Sequence, residues 1–273
     1  MTTQFATING HRLRYRLAGQ GPLAVFGHGL LGSIEQLDAH HGGISRLQEH
    51  VRLLVYDARG HGQSEGPDDP CGYTWESLGL DMAALVEHAG ERQAIIGGGS
   101  MGAATALWLA LERPEYVRAL LLVMPPPLGF ETMRGADEQQ AIQVLDLLRT
   151  AVETFGLEKT IEMAKQFPGF APTPEEADER ARWLLSVNPK ALLHAIRGLL
   201  SSPIHDPETY RRIAVPTLVV AHEGDPLHPV RAAKLVAEKV PGARLIVGPE
   251  PYYWRYHPDE LNAEVTSFLA ALG

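Results

Sequence analysis

The chain has a single cysteine, Cys71, among 273 residues, so no intrachain disulfide can form. A reducing compartment suits such a chain, and so does a disulfide-free exported protein. Positive charge is short as well: 24 Lys and Arg stand against 33 Asp and Glu, a formal net charge of −9. With no basic stripe, nothing draws the chain electrostatically to nucleic-acid phosphates or an anionic membrane, and neither partner is expected. Long apolar runs are missing. The stretch 119–124 is among the strongest, and it falls far short of the ~20 residues that cross a bilayer. The opening Met-Thr-Thr-Gln-Phe lacks the basic start and apolar core of an export signal, so a cytoplasmic location is expected. There is no H-E-x-x-H spacing, no G-x-G-x-x-G after the first central strand and no P-loop. Neither a catalytic metal nor a nucleotide cofactor is expected, and the partner that remains is a small-molecule substrate.

What is present is an alternation. Leu23–Gly27, Arg52–Tyr56, Ala94–Gly97, Ala119–Met124, Pro216–Ala221 and Arg244–Val247 are short, nearly continuous apolar runs bounded by Gly, Pro or Asp. Strands buried on both faces read this way. Amphipathic segments lie between them, including Ser77–Ala89, Met101–Arg113, Val230–Lys239 and Asp259–Leu272. Gln4–Ile8 and Arg12–Ala18 flank Asn9-Gly10, a strong hairpin turn. The pattern predicts an α/β fold with a doubly wound, mostly parallel, eight-stranded sheet. The rhythm breaks between about Pro125 and Pro207, where helical patterns occur without a convincing strand. This block, 125–207, is expected to be a helical cap over the C-terminal edge of the sheet. Residues 1–124 and 208–273 would form the core.

The strongest chemical signal is Gly98-Gly99-Ser100-Met101-Gly102, where an apolar strand runs into a helical pattern. A serine at the apex of so sharp a turn needs neighbours without bulky Cβ groups, and the helix start favours developing negative charge on it. A Gly-rich connector with no chemistry is the plain alternative. The second signal is Gly27-His28-Gly29-Leu30-Leu31-Gly32-Ser33, a loop able to aim backbone amides at a point near Ser100. The amides of Leu30 and Met101 are the expected oxyanion donors. His28 is expected to brace that loop, with contact to substrate as a secondary possibility. The third is Asp57-Ala58-Arg59-Gly60-His61-Gly62-Gln63-Ser64, a polar turn after a strand. Asp57 and Arg59 are expected in structural polar contacts rather than at a metal.

In this order and spacing, the H-G loop, the D-x-R-G-x-G-x-S turn and G-x-S-x-G resemble the α/β-hydrolase superfamily. The likeness is to its small capped branch of enol-lactonases, carboxylesterases, C–C bond hydrolases and cofactor-free haloperoxidases. It covers essentially the whole chain and implies a Ser–acid–His triad in that order. Asp225, in the loop after the strand at 217–221, matches the acid, with Glu223 as a weaker alternative. The family's histidine follows the last strand, which here would put it near Pro251, where there is none. His257 is the sole histidine beyond that strand, lies late, and is taken as the base. His228, three residues beyond Asp225, is set aside as badly placed to bridge to the serine. Tyr252, Tyr253 and Trp254 either line the pocket mouth or pack the last helix. Met133, Leu145, Leu148, Phe155, Phe167 and Trp183 either face substrate or form cap core.

The expected function is hydrolysis of a small, largely apolar ester, lactone or related carbonyl compound through an acyl-enzyme. If His257 does not reach Ser100, a triad-deficient binding or regulatory protein remains. A cofactor-independent lyase or transferase using the oxyanion hole alone is a further alternative.

Overall fold

The computed structural model describes residues 2–37, 43–127, 134–167, 170–202 and 206–273. Asn9 and Gly10 both take positive φ, 45° and 86°, the backbone that a tight hairpin turn requires. They join β1 (Thr3–Ile8) to β2 (His11–Ala18). The apolar runs then become β3 (Leu23–Gly27), β4 (Arg52–Tyr56), β5 (Ala94–Gly99), β6 (Val117–Val123), β7 (Thr217–His222) and β8 (Arg244–Gly248). They form an eight-stranded sheet in the order β1-β2-β4-β3-β5-β6-β7-β8. β2 runs against both its neighbours, and the pairs from β4 to β8 are parallel. β3, β5 and β7 are buried at every position, which explains why they read as unbroken apolar runs.

Helices cover the two faces. α1 (Trp75–His88) is capped by Thr74, whose side chain accepts from the Ser77 amide. α2 (Met101–Glu112) follows β5 directly. Between β6 and β7 the described residues form α3 (Ala136–Phe155), α4 (Leu157–Ala164), α5 (Pro174–Leu184) and α6 (Pro189–Ser201). Pro174 and Pro189 occupy first-turn positions, where the missing N–H costs nothing. α7 (Val230–Lys239), the single turn α8 (Tyr253–Tyr256) and α9 (Pro258–Ala270) complete the chain. Ile161, Ala181 and Leu184 make a small separate core that Leu31 joins from the loop after β3. The helices between β6 and β7 therefore pack on the loop that carries Leu30, one of the two expected oxyanion donors. Among the described residues no helix is long and apolar enough to cross a membrane.

Candidate active site

The C-terminal ends of β3, β5 and β7 deliver three loops to one edge of the sheet, where open α/β sheets hold their ligands. At the end of β5, Ser100 has φ 51° and ψ −110°, a conformation that costs a non-glycine residue about 1–3 kcal/mol. Its amide donates to the Val123 carbonyl at 3.0 Å, and the Gly102 amide donates to the His28 carbonyl at 3.1 Å. Those bonds hold the turn on both sides. The glycines are steric necessities. A Cβ on Gly98 would lie 2.4 Å from the Gly102 carbonyl carbon, and one on Gly102 would lie 2.3 Å from the Gly27 oxygen.

The imidazole beside Ser100 is not the one the sequence pointed to. His228 places Nε2 2.7 Å from Ser100 Oγ and Nδ1 2.9 Å from Asp225 Oδ2. Asp225 Oδ1 accepts from the amides of Leu227 at 2.7 Å and His228 at 3.1 Å. One carboxylate oxygen thus closes the Asp225-Pro226-Leu227-His228 turn, and the other faces the imidazole. Burial opposes ionisation of Asp225, but the facing His228 ring and the Leu227 amide outweigh it. They hold the carboxyl well below the usual carboxylate range. Glu223, the weaker alternative for the acid, is seen here through its carbonyl, which accepts at 3.1 Å from His222 Nδ1.

His257 is on the surface. Its ring stacks on Tyr253 at 4.1 Å, and Nδ1 meets Glu260 Oε1 at 3.0 Å, at the head of α9. Placing it as the base is corrected by this geometry: Ser100 already has an imidazole partner. The turn that brings His228 round was legible in principle. Aspartate followed by proline favours a side chain folded back onto the amides two and three residues on. That fold is what puts positions i and i+3 face to face.

His28 braces the loop after β3. The Ala58 amide donates to its Nε2 at 2.9 Å, so the proton sits on Nδ1, which donates to the Gly29 carbonyl at 2.7 Å. Complete burial, with His61 nearby, pushes its pKa down to about 3. The Gly29 carbonyl also accepts from the Gly32 amide at 2.8 Å. In a trans peptide the next N–H points the opposite way, so these two donors turn the Leu30 amide away from His28. Gly29 itself packs against Ser100: a Cβ there would be 4.0 Å from Ser100 Oγ. Met101 opens α2, and the first amides of a helix have no intrahelical acceptor. Leu30 and Met101 therefore stay the oxyanion candidates. His28 stands behind them, bonded to backbone on both ring nitrogens.

Asp57 and Arg59 are structural. Asp57, wholly buried, accepts from the amides of Ile34 at 2.8 Å and Gln63 at 2.9 Å and from Arg14 at 3.2 Å. Arg59 grips Asp81 with two hydrogen bonds, at 2.7 and 2.6 Å. Trp254 is buried, its indole donating to the Ala221 carbonyl at 2.6 Å, and Tyr253 donates to Glu260 at 2.7 Å. The structure gives both a packing role at the last helix in place of the substrate contact considered for them. Tyr252, at φ 62°, lines a cavity of about 490 Å³ between α5 and the core, with Gln36, Arg180 and Trp183. Phe155 and Phe167 are exposed, Leu145 and Leu148 are half-buried, and Met133 lies outside the described residues.

Residues 22–252 match the family model for the alpha/beta hydrolase fold. The chain belongs to the α/β-hydrolase fold family. A 3-oxoadipate enol-lactonase of Acinetobacter baylyi is 27% identical to this α/β hydrolase over 231 residues, covering 84% of the chain and 81% of the relative. A 2-(acetamidomethylene)succinate hydrolase of Mesorhizobium japonicum is 24% identical over 273 residues, covering 95% of the chain and 92% of the relative. Among solved structures, a hydrolase from Pseudomonas aeruginosa aligns with a TM-score of 0.81 at 26% identity, covering 98% of each chain. The enol-lactonase from Burkholderia xenovorans aligns with a TM-score of 0.81 at 21% identity over 98% of this chain and 100% of its own, a likeness of fold.

Proposed function

We propose that this α/β hydrolase is a serine hydrolase that cleaves a small ester, lactone or related carbonyl compound through an acyl-enzyme. The observation that carries the reading is the continuous Ser100–His228–Asp225 relay, with contacts of 2.7 and 2.9 Å. His228 Nε2 accepts the Ser100 proton as Oγ attacks the carbonyl carbon. The Leu30 and Met101 amides receive the charge that develops on the carbonyl oxygen. His228 returns its proton to the leaving oxygen as the C–O bond breaks. Water, deprotonated by the same ring, then attacks the acyl-enzyme and releases the acid and free Ser100. Asp225 fixes the ring's tautomer and stabilises its cation throughout.

The reading of a triad-deficient binding protein, lyase or transferase depended on a serine without a base. A histidine in hydrogen-bond reach of Ser100 argues against that premise. The names of the relatives, an enol-lactonase and a 2-(acetamidomethylene)succinate hydrolase, agree with a hydrolase reading.

The roles separate experimentally. An activated fluorophosphonate should label Ser100, and Ser100→Ala should abolish the labelling. His228→Ala should lower kcat for a short 4-nitrophenyl ester by about 10³–10⁴-fold. His257→Ala should stay within about threefold of the parent, as a surface substitution away from the chemistry. The reverse ranking of the two histidine variants would overturn the assignment.

A further inference from the structure

The turn after β4 carries a buried histidine that the proposed reaction does not use. His61 is 4% exposed, and both its ring nitrogens meet carbonyl oxygens. Nε2 lies 2.7 Å from the Leu30 carbonyl and Nδ1 2.9 Å from the Arg59 carbonyl. Nearby, His28 Nδ1 holds the preceding carbonyl, that of Gly29, at 2.7 Å. The two rings are 5.2 Å apart, and Ala58 joins them. Its amide donates to His28 Nε2 and its carbonyl accepts from the His61 amide, each at 2.9 Å. Two histidines on one frame thus meet the successive carbonyls that bracket the Leu30 α-carbon.

A peptide held only at its carbonyl can rock about that point, and the Leu30 amide rocks with the Gly29 carbonyl. Holding the next carbonyl removes that freedom, because the two planar peptides share the Leu30 α-carbon. The pull to be resisted comes from the cap. Leu31 packs with Ile161, Ala181 and Leu184, so the Leu30–Leu31 peptide is a joint between cap and core. His61 holds that joint from the core side, and its own turn is firm. Asp57 accepts from the Gln63 amide at 2.9 Å, and the Ser64 amide donates to the His61 carbonyl at 2.9 Å. Burial lowers the pKa of His61, which leaves a neutral ring at neutral pH, with one N–H for two carbonyls. A ring lone pair facing a carbonyl oxygen is repelled more at 2.7 Å than at 2.9 Å, which places the proton on Nε2, toward Leu30.

We infer that His61 is a positioning residue for the oxyanion site: its Nε2–H holds the Leu30 carbonyl and so fixes the direction of the Leu30 amide. This rests on the proposed ester or lactone hydrolysis, in which that amide receives the oxyanion charge. The ring acts through Leu30 and touches no reacting atom. It keeps a donor aimed where charge develops, which must be in place before the reaction begins. An interaction made only in the transition state falls on kcat and leaves KM alone.

Glutamine and asparagine separate the two ring nitrogens. His61→Gln carries its amide N–H out to the Nε2 position and can still donate to Leu30, whereas His61→Asn reaches only the Nδ1 position and Arg59. With 4-nitrophenyl butyrate, His61→Asn should lower kcat about tenfold or more with KM within about threefold, and His61→Gln should stay within about threefold of the parent in both. Equal losses in the two variants, or the larger loss in His61→Gln, would overturn the inference while ester hydrolysis stood. A merely structural histidine would make the losses follow the melting temperatures of the variants and not the nitrogen retained. Imidazole nitrogen NMR of the parent needs neither turnover nor a folded variant. A His61 ring protonated on Nε2 upholds the hold on Leu30, and one protonated on Nδ1 overturns it. If the parent hydrolyses no ester, the proposed function fails, and the spectrum still decides whether His61 holds the Leu30 carbonyl.

Discussion

Asp225 divides its two oxygens between its own turn and the imidazole beside it, so Asp225→Asn tests one half at a time. The amide oxygen can still accept from Leu227 and His228, keeping the turn. The amide nitrogen then faces Nδ1 and forces the proton onto Nε2, the wrong tautomer for taking one from Ser100. We expect kcat to fall by about 10³–10⁴ with the melting temperature little changed, checked by steady-state kinetics beside thermal unfolding. At this scale the sequence is legible where the signal is contiguous. Ser100 stands inside its own motif, and Asp225 directly follows a strand. His228 is hidden because three residues looks too close in an extended chain, whereas a turn closed by Asp225 Oδ1 makes that spacing the right one.

The elbow joining β5 to α2 works as one element. Gly102 packs its Cα face against the backbone of Gly27 on the neighbouring strand, so Gly102→Ala must push strand and helix apart. Overpacking of this kind costs about 1–3 kcal/mol and moves Ser100 from His228. The expected outcome is a lower denaturation midpoint together with slower fluorophosphonate labelling. An alanine enzyme labelled at the parent rate would show that the close approach is not needed. The strands and helices themselves were legible because hydrophobic period reports burial directly, and β3 is buried along its whole length. The course of the loop after β8 was not, because aromatic residues serve equally as wall and as packing. Only the structure separates Tyr252, on the cavity, from Trp254, bonded to Ala221.

For the molecule as a whole, the buried histidines give stability a pH dependence of definite sign. The pKa of His28 falls from 6.5 to about 3 on folding, and His61, 5.2 Å away, is lowered by the same burial. An unfolded chain takes up these protons below pH 6.5, and the folded chain does not. Stability is therefore complete above about pH 6.5 and drains away as pH falls toward 3, by roughly 4 kcal/mol for His28 alone. Thermal unfolding between pH 7 and pH 4 should show a falling midpoint, and His28→Asn, which keeps a donor for the Gly29 carbonyl, should flatten the slope. A variant slope equal to the parent's would mean that His28 is not the group responsible.

The proposed acid and base sit within one tetrapeptide between β7 and α7, whereas the likeness to other α/β hydrolases leads one to look for the base after β8. Inheritance of the two tasks is thereby uncoupled. The segment after β8 contributes Tyr252 to the cavity wall and nothing to proton transfer. Mutation, recombination or a library built over residues 249–257 should alter the wall that Tyr252 and Arg255 form while leaving the Asp225–His228 turn and its contact with Ser100 in place.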